Sequence, residues 1–440
     1  MTTTQNTKFI VEPGGQLTGR LRVAGDKSIS HRSIILGSVA NGITEVSGFL
    51  EGEDSLATLA AFKVMGVHIE GPYNGSVRIH GVGLHGLHDP GQPLDLGNSG
   101  TSMRLLSGLL AGQTFDTELV GDDSLMSRPM RRVTEPLARM NAAVVTDADG
   151  SAPLKIQGGQ GLQGIDFEMP VASAQVKSCV LLAGLYAQGT TCVHEPALTR
   201  DHTERMLQGM GYAVERNDNR ISVVGGGVLT ATDIEVPADI SSAAFFIVAA
   251  TIAPGSELLL EHVGVNPTRT GVLEILQRMG ADITLSNQHE SGGEPVADIT
   301  VRYAELNGIE IPESLVPLAI DEFPILFIAA ACAKGTTVLT GAEELRVKET
   351  DRIQVMADGL QALGIDAQPI ADGMVIHGGA LTVGQVDSGG DHRIAMSFAI
   401  AALRAQGQIT IDDCANVRTS FPEFVAQAAQ TGLNISVAND

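Results

Sequence analysis

The stretch Gly25-Asp26-Lys27-Ser28-Ile29-Ser30-His31-Arg32 sets two cations and two hydroxyls at the entrance to an apolar run through Ile34, Ile35, Leu36 and Val39. The chemistry these types suit is anion binding. The first amides of a helix have no intrahelical acceptor and the helix dipole is positive there, so a phosphate or carboxylate would be held by backbone and side chain together. Ser28 and Arg32, four apart, share one helix face. Alone, the octapeptide reads equally well as a capped surface helix with a solvated charge cluster; the rest of the chain decides.

Polar, chemically able residues return at other helix starts. Asn98-Ser99-Gly100-Thr101-Ser102-Met103-Arg104, Ser173-Ala174-Gln175-Val176-Lys177, Asp239-Ile240-Ser241-Ser242, Asp321-Glu322-Phe323-Pro324 and Asp391-His392-Arg393 each precede or open an apolar run. A second set comprises Arg128-Pro129-Met130, Arg200-Asp201-His202, Asn266-Pro267-Thr268-Arg269, Lys348-Glu349-Thr350-Asp351-Arg352 and Arg418-Thr419-Ser420-Phe421-Pro422. Proline is well tolerated in a first helical turn, which supports these placements. Brought together, Lys27, Arg32, Arg128, Arg200, Lys348, Arg352 and Arg393 would suit substrates bearing several negative charges, with Arg gripping as a fork and Lys as a mobile charge. Asp321 and Glu349 are the candidate proton-transfer groups. The competing reading of each, and of Asp391, is an N-cap or first-turn acid that only stabilises its helix.

The sequence lacks a P-loop, a dinucleotide-binding GxGxxG after the first strand, an HExxH and a Cys-His nucleophile pattern. His85 and His88 hint at a metal but have no third ligand nearby in sequence. Group transfer between anionic small molecules, without metal or cofactor, is the class left.

The elements that position these residues repeat about every 70 residues, a period that marks a repeat architecture. Apolar first helices begin at Lys27, Gly100, Ala172, Ser241, Asp321 and Asp391, and each leads into a strand, such as Thr117-Glu118-Leu119-Val120 or Thr336-Thr337-Val338-Leu339. Second helices stop at Met65-Gly66, Met140-Asn141, Met210-Gly211, Met279-Gly280, Leu363-Gly364 and Thr431-Gly432, where Gly or Asn tolerates the left-handed cap. Strands follow, giving an α/β protein in which helices pack under sheets. The six copies fall into two groups of three: residues 21–237 form the first domain, and 1–20 plus 238–440 the second. The piece before Leu21 belongs to no copy and is expected to pair within the second domain.

With 440 residues, 43% hydrophobic and 18% charged, the chain has ample core for two or three domains. Its apolar runs, such as Ala243 to Ile252, interrupted by Thr251, are too short to span a bilayer, and the polar Met1 to Lys8 lacks the marks of a targeting peptide. The expectation is a cytoplasmic protein. Cys179, Cys192, Cys332 and Cys414 lie in or beside apolar runs and are expected to be free thiols. A net charge of −23 argues against nucleic acid or anionic membrane as partner and makes a basic cluster conspicuous.

In order and at family spacing, Gly25-Asp26-Lys27-Ser28-Ile29-Ser30-His31-Arg32, Gly97-Asn98-Ser99-Gly100-Thr101, Arg128-Pro129-Met130, Ser173-Ala174-Gln175, Arg346-Val347-Lys348-Glu349-Thr350-Asp351-Arg352 and Asp391-His392-Arg393 resemble the 5-enolpyruvylshikimate-3-phosphate synthase family. The likeness runs from about Pro13 to Pro422. Ala172 to Ser178 and Thr199-Arg200-Asp201-His202-Thr203-Glu204 resemble its class II bacterial branch. The resemblance implies a two-domain inside-out α/β barrel of six βαβαββ units, closing over substrate bound in the cleft between the domains. It implies transfer of the enolpyruvyl group of phosphoenolpyruvate to the 5-hydroxyl of shikimate 3-phosphate, releasing phosphate, on the route to chorismate and aromatic amino acids. Lys27, Ser28, Arg32, Ser173, Ala174, Gln175, Arg200, Asp321 and Lys348 resemble the shikimate 3-phosphate contacts. Lys27, Asn98, Gly100, Thr101, Arg128, Gln175, Arg352 and Arg393 resemble those to phosphoenolpyruvate. Asp321 resembles the base that takes the 5-hydroxyl proton, with Glu349 and Lys27 as candidates to protonate the enol methylene. No cofactor or metal is implied, and a monomer is expected.

Two positions qualify the likeness. Many members have a lysine where Thr419 stands, with Arg418 adjacent here; and Gly100, alanine in herbicide-tolerant class II members, implies sensitivity to glyphosate. The sister reading, transfer to UDP-N-acetylglucosamine, would want a reactive cysteine in the loop around Met126-Ser127, which has none, and a Lys-Asn in place of Lys27-Ser28. A non-catalytic anion-binding repeat protein would not need an acid and a base beside its cations.

Overall fold

In a computed structural model of the chain, residues 7–439 are described; residues 1–6, most of the polar N-terminal stretch, and Asp440 lie outside the described residues. The repeat is present in all six copies. In the first, α1 (Lys27–Val39) runs into the strand Asn41–Ser47, and α2 (Glu53–Val64) into the hairpin His68–Tyr73 and Ser76–Val82. In the second, α3 (Gly100–Ala111) leads to Thr117–Val120; the single turn α4 (Asp123–Met126) then precedes α5 (Arg131–Arg139), Ala143–Val145 and Leu154–Gln157. In the third, α6 (Ala174–Gly184) leads to Thr190–His194, and α7 (His202–Gly209) to Val214–Asn217 and Arg220–Val224. The later copies repeat this with α8 (Ile240–Ile252) and α9 (Gly271–Met279), α10 (Phe323–Ala331) and α11 (Arg352–Ala362), and α12 (His392–Ala401) and α13 (Phe424–Thr431).

The second-helix stops have the backbone their residue types call for. Gly66, Asn141, Gly211, Gly280, Gly364 and Gly432 all have φ between 71° and 122°, the left-handed region in which a Cβ is disfavoured. Each stop reverses the chain into the next strand, which is why the spacing of these residues reports the repeat.

Each sheet has the same pairing logic. The strand after the first helix pairs antiparallel with the last strand of its copy, as Thr44 with Ile79, and that strand pairs antiparallel with the one between, as Ile69 with Ile79. A short lead strand lies parallel on the other side: Leu94–Asp95 beside Thr117–Val120, and Asp166–Glu168 beside Thr190–His194. In the fifth copy the lead strand is reduced to the isolated bridges Asn307 to Lys334 and Glu310 to Val338.

Distant chain segments complete three sheets. The first takes its lead strand from Ile234–Glu235, and the fourth from Thr18–Leu21. The sixth takes its central strand from Thr7–Gly15, with Phe9 opposite Ile411 and Val11 opposite Ile435. The chain divides into an N-terminal unit, residues 25–236 with Ser291–Gly293, and a C-terminal unit holding the remainder. The first crossing thus follows Ala24 rather than residue 20, because Leu21 and Val23 are buried in the core of the C-terminal unit.

Within each unit the helices are central and the sheets cover them. Every residue of α8 and of α10 is buried, which is why these helices are apolar all round and not amphipathic. The strands alternate instead, as in Leu154–Gln157, where Leu154 and Ile156 are buried and Lys155 and Gln157 exposed. Small residues let the helices approach. A methyl built on Gly108 of α3 would stand 2.0 Å from the carbonyl oxygen of Cys179 on α6, and one on Gly359 of α11 2.2 Å from the Phe398 ring on α12. Gly108→Ala is therefore expected to force α3 and α6 apart and destabilise the fold by about 1–3 kcal/mol; a lower urea midpoint and melting temperature check it.

Candidate active site

Five of the six first helices are capped by their own sequence. Asp26, Ser99, Ser173, Asp239 and Asp391 are the N-caps of α1, α3, α6, α8 and α12, and each side chain accepts an amide of the first turn, as Asp26 accepts from Ile29 at 2.9 Å. The capping reading holds for these residues. It also limits the anion site anticipated at α1, since one of its first amides is already bound by Asp26. α10 is the exception: its N-cap is Glu322, no side chain caps it, and Asp321 stands before the helix with its carboxylate unused as a cap.

At α1 the Lys27 ammonium forms an ion pair with Asp54, which is nearly buried in the first turn of α2. Asp54 went unnoticed in the sequence because Glu53-Asp54 reads as an ordinary acidic first turn. Arg32 turns inward: it donates from Nε to Thr203 Oγ1 at 2.7 Å, from Nη1 to the Ser28 carbonyl at 2.9 Å and from Nη2 to Ser178 Oγ at 2.8 Å. This ties α1 to α6 and α7. Ser28 is half-buried beside it.

Arg128 is held by the loop that opens α3. Gly97 takes φ 57°, and Asn98 bridges two groups, donating from Nδ2 to Asp122 at 2.8 Å while its Oδ1 accepts from Arg128 Nη2 at 2.7 Å. Asn98 thus orients Arg128. A second guanidinium, Arg104 one turn along, donates from Nη1 to Gln175 Oε1 at 2.5 Å, and Gln175 Nε2 donates to Thr101 Oγ1 at 3.0 Å. Gly100 lies between the two cations, where a Cβ would stand 3.1 Å from Arg128 Nη1 and 3.2 Å from Arg104 Nη1. Arg104 is in the helix-start pattern, and only its place beside Gly100 singles it out. Ser173, Ala174 and Gln175 open α6, half-buried.

Arg200 precedes α7 in a loop clamped from below. The fully buried Lys177 meets Glu195 at 2.9 Å and Glu204 at 2.7 Å, and Arg216 meets Glu195 at 2.9 Å. Glu195 also accepts from the Thr199 amide at 3.0 Å. A buried network of this kind fixes geometry, since breaking one partner leaves an uncompensated charge. Lys177 is part of that clamp.

In the C-terminal unit the chemistry gathers on Arg352, 1% exposed. Its Nε donates to Asp391 Oδ2 at 2.7 Å and its Nη2 to Glu349 Oε2 at 2.6 Å, while Nη1 lies 3.6 Å from Asp321 Oδ1. Lys348 Nζ lies 3.5 Å from the same Asp321 oxygen. Burial by itself would lower the guanidinium's proton affinity, but Asp391, Glu349 and Asp321 outweigh it and raise the pKa above the usual arginine value. Asp391 is fully buried, caps α12 through the Arg393 amide at 2.9 Å, and follows Gly389 and Gly390, whose φ values of 61° and 75° form the turn. Arg393 itself is half-buried.

Two expectations at the margin resolve differently. Thr419 is buried and donates to the Asn416 carbonyl at 2.7 Å within its own turn, whereas Arg418 is exposed. His85 packs edge-on against Tyr186, and neither His85 nor His88 joins a group with metal-ligand geometry among the described residues. Two other groups do, His68 with Glu70 and His80, and Asp166 with Cys192 and His194. In the second, parallel strands bring Asp166 opposite Cys192.

Units with inner helices and outer sheets, whose helix starts carry fixed cations beside carboxylates, define the enolpyruvyl transferase fold. The enolpyruvyl transferase NikO from Streptomyces tendae superposes with a TM-score of 0.79 over 99% of this chain and 100% of its own, at 16% identity. EPSP synthase from Acinetobacter baumannii gives a TM-score of 0.89 at 57% identity, covering 99% of this chain and 100% of that one. The profile of EPSP synthase (3-phosphoshikimate 1-carboxyvinyltransferase) matches residues 11–427. Relatives named 3-phosphoshikimate 1-carboxyvinyltransferase are 69% identical in Methylococcus capsulatus, over 98% of both chains, and 66% identical in Nitrosococcus oceani, over 97% of this chain and 96% of that one. The chain belongs to the EPSP synthase family.

A buried histidine next to Lys27 gives the N-terminal unit a pH dependence. Burial, followed by Lys27 and Arg32, holds the His31 imidazole well below 6.5, and its Nδ1 lies 2.8 Å from Thr58 Oγ1. As pH falls past 6.5 the unfolded chain takes up this proton before the folded one, so the stability contributed by neutral His31 is complete above 6.5 and is lost toward its lower folded value. The slope is at most about 1.4 kcal/mol per pH unit. His31→Gln is expected to lose less melting temperature than the unsubstituted chain between about pH 7.5 and about pH 5.5, measured by thermal denaturation at both.

Proposed function

We propose that this chain transfers the enolpyruvyl group of phosphoenolpyruvate to the 5-hydroxyl of shikimate 3-phosphate, releasing phosphate, and that the residues above divide the work. Arg128, Arg352, Arg393 and Lys27 hold the phosphate and carboxylate of phosphoenolpyruvate, with Gly100, Thr101 and Gln175 shaping their surroundings and Asn98 fixing Arg128. Lys27, Ser28, Arg32, Ser173, Ala174, Gln175, Arg200 and Lys348 hold shikimate 3-phosphate. Asp321 takes the 5-hydroxyl proton, and Glu349 or Lys27 protonates the methylene carbon.

The carrying observation is the group around Arg352: Asp321, the first-helix acid released from capping duty, and Glu349 share one buried guanidinium, and Lys348 stands beside Asp321. An acid and a base beside fixed cations are what the transfer needs. Protonating the methylene carbon creates an electron-poor centre for the hydroxyl to attack, and fixed cations hold the tetrahedral adduct's carboxylate and phosphate until phosphate leaves. A purely anion-binding protein has no use for that pairing. The proposal extends to a cytoplasmic monomer working without cofactor. No helix among the described residues is long and apolar enough to cross a membrane, and a net charge of −23 opposes nucleic-acid binding.

Phosphate release from phosphoenolpyruvate is expected with shikimate 3-phosphate and not with UDP-N-acetylglucosamine; no release with the former refutes the assignment. Asp321→Ala is expected to lower kcat by roughly 10²–10⁴-fold, the contribution of a positioned general base. Glu349→Ala and Lys27→Ala, followed by hydrogen exchange into the methylene group, identify the proton donor. Gly100→Ala puts its methyl against the Arg128 and Arg104 guanidinium groups. An overpacking cost of about 1–3 kcal/mol would raise the glyphosate inhibition constant on the order of 10- to 100-fold, and an unchanged constant would contradict this.

A further inference from the structure

On the solvent face of the first sheet, two histidines and a glutamate aim at one point. His68 and Glu70 are two residues apart on the strand His68–Tyr73 and so project from the same face, while Ile69 between them is buried. His80, on the neighbouring strand, is the register partner of His68. The two rings have centroids 4.7 Å apart, and both Nε2 atoms face Glu70 Oε1, His80 at 2.8 Å and His68 at 3.8 Å. Neither histidine adjoins the residues assigned to the transfer reaction, and packing does not call for them, since all three side chains are at least one-third exposed.

We propose that His68, Glu70 and His80 bind a divalent transition-metal ion of the zinc class. The three ligand atoms lie within 4.8 Å of one another. Ligands on a tetrahedral zinc at about 2.0 Å stand about 3.3 Å apart, so the ion needs only a small closing movement of exposed rings. Two imidazoles and one carboxylate leave a fourth position for water, and imidazole-rich sets favour Zn²⁺ and Cu²⁺ over Mg²⁺ or Ca²⁺. The nearby cation is provided for, because Arg78 Nε lies 3.2 Å from Glu45 and only 3.9 Å from Glu70, leaving it a carboxylate partner when the metal takes Glu70. The bound ion would pin the two strands together across the face of the sheet opposite the helices.

The second group, Asp166, Cys192 and His194, is the internal competitor. There His194 Nε2 is 2.6 Å from Asp166 and 3.5 Å from Cys192 Sγ, and burial pushes the thiol up, away from the thiolate a metal requires. The two groups differ in sulfur, which makes them separable by spectroscopy.

The test uses the full-length chain with any affinity tag removed, titrated with ZnCl₂ by calorimetry and with CoCl₂ by absorption. One site is expected, with visible Co²⁺ bands and no sulfur-to-cobalt charge transfer. His68→Ala, His80→Ala and the nearly isosteric Glu70→Gln are each expected to weaken Zn²⁺ binding at least about tenfold while phosphate release is unchanged, which certifies the fold. Absence of binding, binding unaltered in the His68→Ala/His80→Ala double variant, or a sulfur charge-transfer band abolished by Cys192→Ala would overturn the proposal.

Discussion

A guanidinium buried to 1% exposure cannot survive in a protein interior unless its charge is answered, and Arg352 is answered by three carboxylates on three different segments. The rest of the C-terminal site follows from that requirement. Asp391 is held at the start of α12 by its need to be both cap and counter-ion, which in turn sets Arg393. Glu349 and Asp321 are drawn to the same cation from the loop before α11 and the turn before α10. Removing one partner of such a buried pair costs on the order of 3–5 kcal/mol, because the remaining charge stays desolvated. The ion pairs thus hold the group in place by themselves, and a preorganised site is the kind that stabilises developing charge without reorganising.

The same economy explains why helix starts recur among the proposed site residues. A helix start must satisfy its own amides, and in five first helices a serine or aspartate does so. That obligation fixes the loop in front of the helix, and with it Lys27, Gly100, Gln175 and Arg393 next to the cap. α10 departs from the rule, and there the acid before the helix is the one suited to be a base. Structural duty and chemistry are thus assigned to adjacent residues. Arg32 and Asn98 mark the boundary, since both are proposed substrate contacts whose donors or acceptors are occupied in holding α1, α6 and Arg128 in place.

Much of this was legible in the residues. The Gly or Asn stops at Gly66, Asn141, Gly211, Gly280, Gly364 and Gly432 reported the repeat because a left-handed φ leaves few residue types to choose from. The apolar helices and alternating strands gave the layers for the same reason: each pattern is local. The strand pairings of Thr7–Gly15, Thr18–Leu21 and Ile234–Glu235 were not legible in detail, since any short strand fits any incomplete sheet and only the closed core selects which one. Asp54 beside Lys27, and His68 opposite His80, were invisible for a related reason. Cross-helix and cross-strand neighbours are set by packing and register, and one residue of slip would separate them.

What the sequence by itself determined is the inventory: six helix-strand repeats with their caps and stops, the cations Lys27, Arg128, Arg352 and Arg393, the acids Asp321 and Glu349, and the family to which their order points. These depend on backbone conformation and side-chain chemistry, which a chain carries with it at every position. What only the tertiary structure decided is which of these groups meet. Burial makes Arg352 demand three carboxylates and turns Arg32 into a tie between helices, and the energy of a buried charge depends on neighbours brought together from distant parts of the chain.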